Sequence, residues 1–478
     1  MTLHDFVALA PFSLLTLGVM IQLLAISFWR SQNVALFTAL AALIAALFGL
    51  TVDGGLGSSV LQDVLVLDGI TRFFNSLFLI AAILTALFSH LYLQGRAGEQ
   101  EEFFVLLLLA TLGAMTMAAA NHFTTLLLGL EILSISLYVM IGYPEEHQAP
   151  LEAALKYLVL SGVASTILLF GMALVYMQTG TLSFAQIGEH GNAGNLMLIG
   201  QSMMLAAIAF KLSLVPFHMW TPDVYQGAPA PVTGYLATVS KAAMLVVLLR
   251  YGLATDLLSN DNAFMLVTLF GILSMLAGNV LALMQENLKR MLAYSSIAHL
   301  GYLMIAVAAL RLAADQETAL ETTLVYLSAY FAMSLAAFGV ISMLSDAAGD
   351  GDTEAIDAYQ GLFWRRPAVA AVLTVSMLAL AGIPLTLGFV AKFYLITTGV
   401  QGMLWALVWA LVVGSAVSIY YYLRVVLVMT RQASDVPDNT RQPAIFEYSL
   451  LTVLGAIVVF FGVQPTPLIS LVRAALAL

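Results

Sequence analysis

ANHFTTLLLGLEILSISLYVMIGY, residues 120–143, decides how the whole chain is read. A bilayer-spanning helix needs about 20 mostly apolar residues, and this stretch supplies them. It also holds one carboxyl group, Glu131, near its middle with apolar residues on both sides. A charge at a helix centre costs about 2.5–3.5 kcal/mol even on the insertion scale, so Glu131 needs a reason to be there. The rest of the chain has the same texture: 61% of its 478 residues are hydrophobic and 9% are charged, with a mean hydropathy of +0.97. Soluble proteins carry about 25% charged residues. No water-soluble core hides that much apolar surface, so the solvent is largely lipid and the chain is an integral membrane protein.

Composition also excludes chemistry. Cysteine is absent, which removes structural disulfides, iron–sulfur ligation and Cys-based zinc sites. The histidines at 4, 90, 122, 147, 190, 218 and 299 are scattered, with no close pair on one helix face, so neither haem nor metal binding is expected. With a formal net charge of −10 and 17 Lys and Arg in all, nothing resembles a basic nucleic-acid face. The N-terminus lacks a basic stretch before its apolar run and a small-residue cleavage site, so 6–28 reads as a retained first helix.

Windows of bilayer length fall at 6–28, 34–51, 73–94, 103–120, 123–142, 153–177, 196–220, 231–254, 263–284, 291–310, 322–344, 367–397, 402–430 and 445–472. The expected fold is therefore all-α and polytopic, with about 14 transmembrane helices joined mostly by short loops. Loops after odd-numbered helices hold Arg30, Arg96, Lys289, Arg290, Arg365, Arg366, Arg431 and Arg441, against Arg72, Arg250, Arg311 and Arg473 on the other side. By the positive-inside rule the larger group is cytoplasmic, and both termini face the periplasm. Pro216 and Pro384 fall inside the seventh and twelfth windows, where each removes an N–H and frees the carbonyl four residues back, on Leu212 and Leu380. Orphan backbone groups survive at membrane depth only inside protein or beside trapped water, so helices 7 and 12 are expected to be discontinuous. At about 1.5 Å per residue the 367–397 window is also too long for about 30 Å of hydrocarbon. Breaks five helices apart point to two inverted five-helix repeats, helices 4–8 and 9–13. The chain then divides into 1–100 (helices 1–3), 101–255 (first repeat), 256–430 (second repeat) and 431–478 (helix 14). Lys211 precedes its proline whereas Lys392 follows its own, so the two local sequences do not align.

Other ionisable residues share the setting of Glu131. Lys211, in AAIAFKLSLVPFHMW, is central and lies beside the Leu212 carbonyl; Lys241, in GYLATVSKAAMLVVLLRY, is about one-third of the way into its window. Each can be read instead as a satisfied or snorkelling lysine. Lys392, in GIPLTLGFVAKFYLITTGV, snorkels unless the Pro384 break draws it inward. His218 and His299 are relay candidates because histidine titrates near neutrality, although a neutral, satisfied histidine is the plain alternative. Lys156 lies near the start of its window beside Glu152 and is the weakest candidate. One acid and several bases on consecutive segments is how membrane proton relays are built. A charge pair about 4 Å apart at an effective dielectric near 20 is worth roughly 4 kcal/mol. Moving one charge against about 200 mV takes roughly 4.6 kcal/mol, so a chain of pairs suffices where one falls slightly short.

Three stretches look like sites and are read otherwise. TVDGGLGSS (51–59) does not join a strand to a helix, so it is no phosphate cradle. SDAAGDGDTEAID (345–357) lacks the glycine position and terminal glutamate of a calcium loop and reads as a solvated linker. Tyr420, Tyr421 and Tyr422 before Arg424 read as an interfacial belt rather than a quinone site.

FKLSLVPFHMWTPDVYQGAPAPV (210–232), QENLKRMLAYSSIAHLGYLM (285–304), YQGLFWRRP (359–367), LAGIPLTLGFVAKFY (380–394) and NHFTTLLLGLEILSISLY (121–138) are distinctive together. They resemble the subunit N family of NADH–quinone oxidoreductase (respiratory complex I), whose antiporter-like subunits are similar to Mrp-type sodium–proton antiporters. The likeness reaches most of the chain beyond residue 100. It implies 14 helices in inverted repeats with two broken helices, and no redox centre in this chain; NAD, FMN, iron–sulfur clusters and quinone would belong to partner subunits. It also implies that Glu131 is the family's helix-five glutamate and Lys211 its broken-helix lysine. Lys241 would be its connecting lysine, Lys392 its second broken-helix lysine, and His218 and His299 accompanying histidines. The resulting expectation is a proton-translocating subunit of complex I in a bacterial inner membrane, beside other membrane subunits. A stand-alone cation–proton antiporter and a non-pumping scaffold are the rivals.

Overall fold

A computed structural model describes residues 3–53, 59–61, 63–94, 100–143, 148–191, 194–312, 316–345, 352–432 and 445–477. Arg96, Arg441, His147, the centre of the glycine-rich stretch (54–58) and part of the acidic loop (346–351) lie outside them. In chain order the elements are α1 Leu3–Ala8, α2 Ala10–Phe28, α3 Gln32–Asp53, the strands β1 Ser59–Leu61 and β2 Leu65–Leu67, α4 Gly69–Leu93, α5 Glu102–Ala118, α6 Phe123–Ile141 and α7 Gln148–Thr179. There follow α8 Phe184–Glu189, α9 Asn195–Lys211, α10 Trp220–Gly227, α11 Ala230–Tyr235, α12 Lys241–Ala254, α13 Asp261–Leu283 and α14 Leu288–Ala309. The remainder are α15 Gln316–Leu344, α16 Leu362–Arg365, α17 Pro367–Ala381, α18 Leu387–Gln401, α19 Trp405–Thr430, α20 Ile445–Val463 and α21 Thr466–Leu476. Among the described residues, 11 helical spans are long and apolar enough to cross a bilayer.

Burial sorts the helices into a centre and a rim. The spans Ala230–Ala254, Leu288–Ala309 and Gln316–Leu344 are almost wholly enclosed, whereas Ala10–Phe28, Gln148–Thr179 and Ile445–Val463 bury about a third of their length. The rim presents Leu, Phe, Ile and Val outward, as a lipid-facing surface must. Small residues let helices approach closely where lipid supplies no hydrophobic drive for association. A Cβ on Gly129 of α6 would lie 2.9 Å from the Gly113 carbonyl oxygen of α5.

The two proline-bearing windows are broken as expected. α9 ends at Lys211 and α10 begins at Trp220; α17 ends at Ala381 and α18 begins at Leu387. Ser213 (φ 62°), Gly382 (φ 83°) and Leu385 (φ 70°) adopt left-handed backbone in these breaks. Polar groups freed there find partners within the protein: the Val215 N–H donates to Ser274 Oγ at 2.9 Å, and Thr221 Oγ1 donates to Ser213 Oγ at 2.7 Å. A third irregularity, unexpected from sequence, is a π-helical turn, Leu236–Ser240, that joins α11 to α12 and ends immediately before Lys241. Such turns recur at functional sites.

Three expectations need correction. The 6–28 window is two helices, because Pro11 has no N–H for the carbonyl four residues back. The 445–472 window ends at Val463; Pro465 and Pro467 stop that helix and start α21, which packs on α4 and α15. The fold is all-α as expected, and the strands β1 and β2 form only a short antiparallel hairpin with Val60 opposite Val66. Finally, Tyr421 and Tyr422 are buried and only Tyr420 is exposed, so the three tyrosines form no belt: at 100° per residue, three consecutive positions span too much of a helix to share its outer face.

Ion pairs tie helix ends together. Arg250 at the end of α12 binds Asp68, the N-cap of α4, with both terminal nitrogens at 2.6 and 3.0 Å. At the opposite end of the bundle Lys289 Nζ donates to Asp352 at 2.6 Å and to the carbonyls of Gln226 and Ala228 at 2.7 and 2.6 Å. Burial raises the pKa of the Asp352 carboxyl, but the Lys289 charge and hydrogen bonds from Lys289, Tyr92 and Ser345 outweigh this and hold it below the usual 3.8. A carboxyl with a depressed folded-state pKa stabilises the fold above its unfolded value and loses that contribution as pH falls through the folded one. The thermal stability of the purified protein is therefore expected to fall below about pH 4, read as a lower unfolding temperature. Asp352→Asn should remove this component and cost about 3–5 kcal/mol at neutral pH by stranding a buried ammonium.

Candidate functional site

Lys211, Lys241 and Lys392 are 6%, 1% and 6% exposed, so none of them snorkels. Lys211 is the last residue of α9, and its Nζ donates to Ser134 Oγ of α6 at 3.0 Å and Ser161 Oγ of α7 at 2.6 Å. The Leu212 carbonyl beside which the sequence places it is not its partner. Tyr138 Oη also donates to Ser161, at 2.7 Å. Glu131 stands one turn before Ser134 on α6, with Oε1 buried and without a hydrogen-bond partner among the described residues. Among the described residues no ion pair within 4.0 Å joins it to Lys211, whose partners are the two serines, so the two are separated rather than in contact.

Lys241 follows the π turn. Its Nζ donates to Ser296 Oγ of α14 at 2.8 Å and lies 5.3 Å from the centroid of the Tyr225 ring. Tyr330 Oη of α15 donates to the same serine at 2.7 Å. Lys392 sits inward because the break around Pro384 folds α18 back beside the end of α17: its Nζ donates to the Ala381 carbonyl at 2.8 Å and lies 5.3 Å from the centroid of Tyr302. The freed carbonyl it takes is therefore that of Ala381, not Leu380. Cation–π contacts of this kind gain strength when water is excluded.

α14 links the second and third lysines. Ser295, Ser296, His299 and Tyr302 occur at helical spacing in SSIAHLGY, so they share one buried stripe. His299 Nδ1 is 2.6 Å from Tyr326 Oη, and His299 Nε2 is 3.4 Å from Tyr422 Oη, which also bonds Ser295. Between the first and second lysines lie Tyr157 and Trp220, with ring centroids 4.7 Å apart. His218 lies at the first break, near Tyr294, and its Nδ1 has no hydrogen-bond partner among the described residues. Lys156 is off this line altogether: its half-exposed ammonium pairs with Glu152 at 2.8 Å and Asp223 at 3.0 Å, and Asp223 also binds Arg290 at 2.8 Å. Among the described residues, no three His, Asp or Glu side chains gather as a metal site.

The hydroxyls Ser134, Ser161, Ser296, Tyr326 and Tyr330 were not singled out from sequence, and Tyr422 was read as interfacial. Only the stripe of α14 carried a signal, the 3–4 spacing of its polar residues within an apolar helix. What these groups add is reversibility. A hydroxyl accepts from an ammonium and donates to a neutral amine equally well. Lys211 and Lys241 thus have hydroxyl partners that accept either protonation state, Lys392 has a backbone carbonyl, and none of the three is hydrogen-bonded to a carboxylate as Lys289 is.

Fold and site together define a polytopic helical membrane protein with three buried amines strung through its interior. Residues 120–418, which include every candidate residue above, match the family described as NADH:quinone oxidoreductase/Mrp antiporter, transmembrane. NADH-quinone oxidoreductase subunit N of Methylococcus capsulatus is 48% identical over 474 residues, 98% of this chain and 95% of the relative. A chain of respiratory complex I from Thermus thermophilus superposes with a TM-score of 0.83 at 30% identity, covering 96% of this chain and 98% of that one. A chain of the Mrp complex from Dietzia sp. DQ12-45-1b gives 0.86 at 20% identity, covering 99% and 97%, a likeness of fold alone. The chain belongs to the NADH:quinone oxidoreductase/Mrp antiporter membrane family.

Ser296 is the hydroxyl shared by Lys241 and Tyr330, so its removal tests the line at its centre. Ser296→Ala deletes a hydrogen bond to a charged group, about 1.5–3 kcal/mol. If that step limits transfer, proton uptake by vesicles holding the assembled complex should slow roughly tenfold, at an unchanged amount of complex.

Proposed function

We propose that this chain is a proton-translocating membrane subunit of NADH–quinone oxidoreductase, in the place that its Methylococcus relative is named for. Quinone reduction elsewhere in the complex changes the charge and geometry felt at Glu131. Glu131 sets the proton affinity of Lys211, Lys241 passes the proton onward, and Lys392 controls its exit. The observation that carries the reading is the burial of three amines whose hydrogen-bond partners are hydroxyls, or a carbonyl, rather than carboxylates. A scaffold has no use for such groups, because each costs energy in lipid and pins no structure that an apolar side chain would not.

The same reading places the protein in a bacterial inner membrane with fourteen crossings. Helices 4–8 and 9–13 then form inverted repeats, and both termini are periplasmic. NAD, FMN, iron–sulfur clusters and quinone belong to partner subunits, and His218 and His299 serve as relays. Lys156, bound to two carboxylates at the bundle end, holds the α10 half-helix in place.

Lys211→Ala and Glu131→Ala should each lower proton pumping at least threefold in reconstituted vesicles while the complex assembles normally. Wild-type pumping in both variants would remove the assignment. Affinity purification of the tagged chain separates this reading from a stand-alone antiporter: NADH-oxidising subunits co-purify in the first case and are missing in the second.

A further inference from the structure

The assignments above leave open where a proton reaches water after the buried amines. α15 carries Thr322, Tyr326 and Tyr330 at four-residue spacing, so all three lie on one face. Each is buried and each is hydrogen-bonded to a different part of the interior. Tyr330 donates to Ser296, the partner of Lys241, at 2.7 Å; Tyr326 lies 2.6 Å from His299; Thr322 Oγ1 is 2.7 Å from Thr398 Oγ1 of α18. From Tyr330 to Thr322 the stripe climbs about 12 Å toward the start of α15. Its members are one turn apart, a gap that single waters bridge.

The stripe ends beside a carboxylate. Glu321, next to Thr322, has a side chain only 13% exposed. It accepts from Tyr394 Oη of α18 at 3.2 Å and from Arg473 Nε of α21 at 3.1 Å. Arg473 itself is 67% exposed, so this is a rim ion pair, of the weak kind that opens readily.

We propose that Glu321 is the proton-release group of this chain, fed along the Tyr330–Tyr326–Thr322 stripe, and that Arg473 is only a tether for the C-terminal helix. The inference rests on the reading of the chain as a proton-translocating subunit. A proton leaving the ammonium of Lys241 or Lys392 leaves a neutral amine behind. It passes over hydroxyls and water and converts the Glu321 carboxylate to the acid. Loss of that proton to water at the bundle edge restores the carboxylate, and nothing is oxidised or reduced. Glu321 suits the task because its partner Tyr394 stands one turn from Thr398, the partner of Thr322, on α18, while Arg473 brings it to the aqueous rim.

The test compares E321Q, E321D, R473Q and K392A in the whole complex, reconstituted in vesicles and normalised to NADH oxidation with an artificial acceptor. The expected result is a loss of proton uptake of threefold or more in E321Q, at least half of wild-type uptake in E321D, and near wild-type uptake in R473Q. Wild-type uptake in E321Q overturns the proposal. If K392A loses uptake in the same experiment, the broader reading stands and the exit lies elsewhere; if K392A also pumps normally, the broader reading falls with it. Equal losses in E321Q and R473Q overturn the proposal as well, because the pair is then merely structural. Should E321Q fail to assemble, T322V replaces it with the same thresholds, since it keeps the carboxylate and cuts the stripe.

Discussion

An amine in a low-dielectric interior is tolerable only if its hydrogen-bonding needs are met, and the choice of partner decides what it can do. Lys289 and Lys241 are each 1% exposed. Lys289 faces Asp352 and two backbone carbonyls, all acceptors of ammonium protons, and such a pair resists change because breaking it strands a buried charge. Lys241 faces a serine hydroxyl and an aromatic ring, and the hydroxyl can reverse its role. Two equally buried lysines are thereby given opposite functions, one holding α14 against the loop that follows α15, the other free to exchange a proton on the proposed reading.

The backbone irregularities serve the same end. An unbroken membrane helix keeps its peptide groups to itself. The breaks after Lys211 and before Leu387, and the π turn before Lys241, are the places where it does not. Each irregularity adjoins one of the three buried lysines. The enclosed central spans, α11–α12, α14 and α15, then line the interval between them with serine, histidine and tyrosine side chains. Ser296 is the junction, because Lys241 and Tyr330 both donate to it.

Much of this was legible in the residues. Glu131, Lys211, Lys241 and Lys392 stood out because charge in an apolar window is costly, and Pro216 and Pro384 marked the breaks because proline lacks a donor. The partners were hidden for the converse reason: a lone serine such as Ser134 or Ser161 in a membrane helix costs little, since its hydroxyl can bond back to its own helix. The depth of Lys392 was hidden by the straight-helix assumption, which put it about two turns from the end; the meeting of the start of α18 with the end of α17 is a tertiary event. Tyr421 and Tyr422 misled in another way, because three adjacent tyrosines suggest an interface while a helix necessarily turns them to different sides. The separation of Glu131 from Lys211 was equally out of reach, for spacing along the chain says nothing of distance between α6 and α9.

One mismatch in the sequence resolves into a shared device. Lys211 precedes its proline and Lys392 follows its own, so the two broken windows do not align residue by residue. Lys211 is itself the C-terminal residue of the first half-helix, α9. Lys392 belongs to the second half-helix, yet its Nζ reaches back eleven residues to the carbonyl of Ala381, the C-terminal residue of the first half-helix, α17. Both lysines are thus attached to the C-terminal end of the helix before the break, where unsatisfied carbonyls and the helix dipole favour positive charge. That end charge offsets part of the cost of ionising an amine in lipid without supplying a carboxylate that would hold the proton fast. On the proposed reading, a break in the helix is therefore what lets a buried lysine exchange its proton.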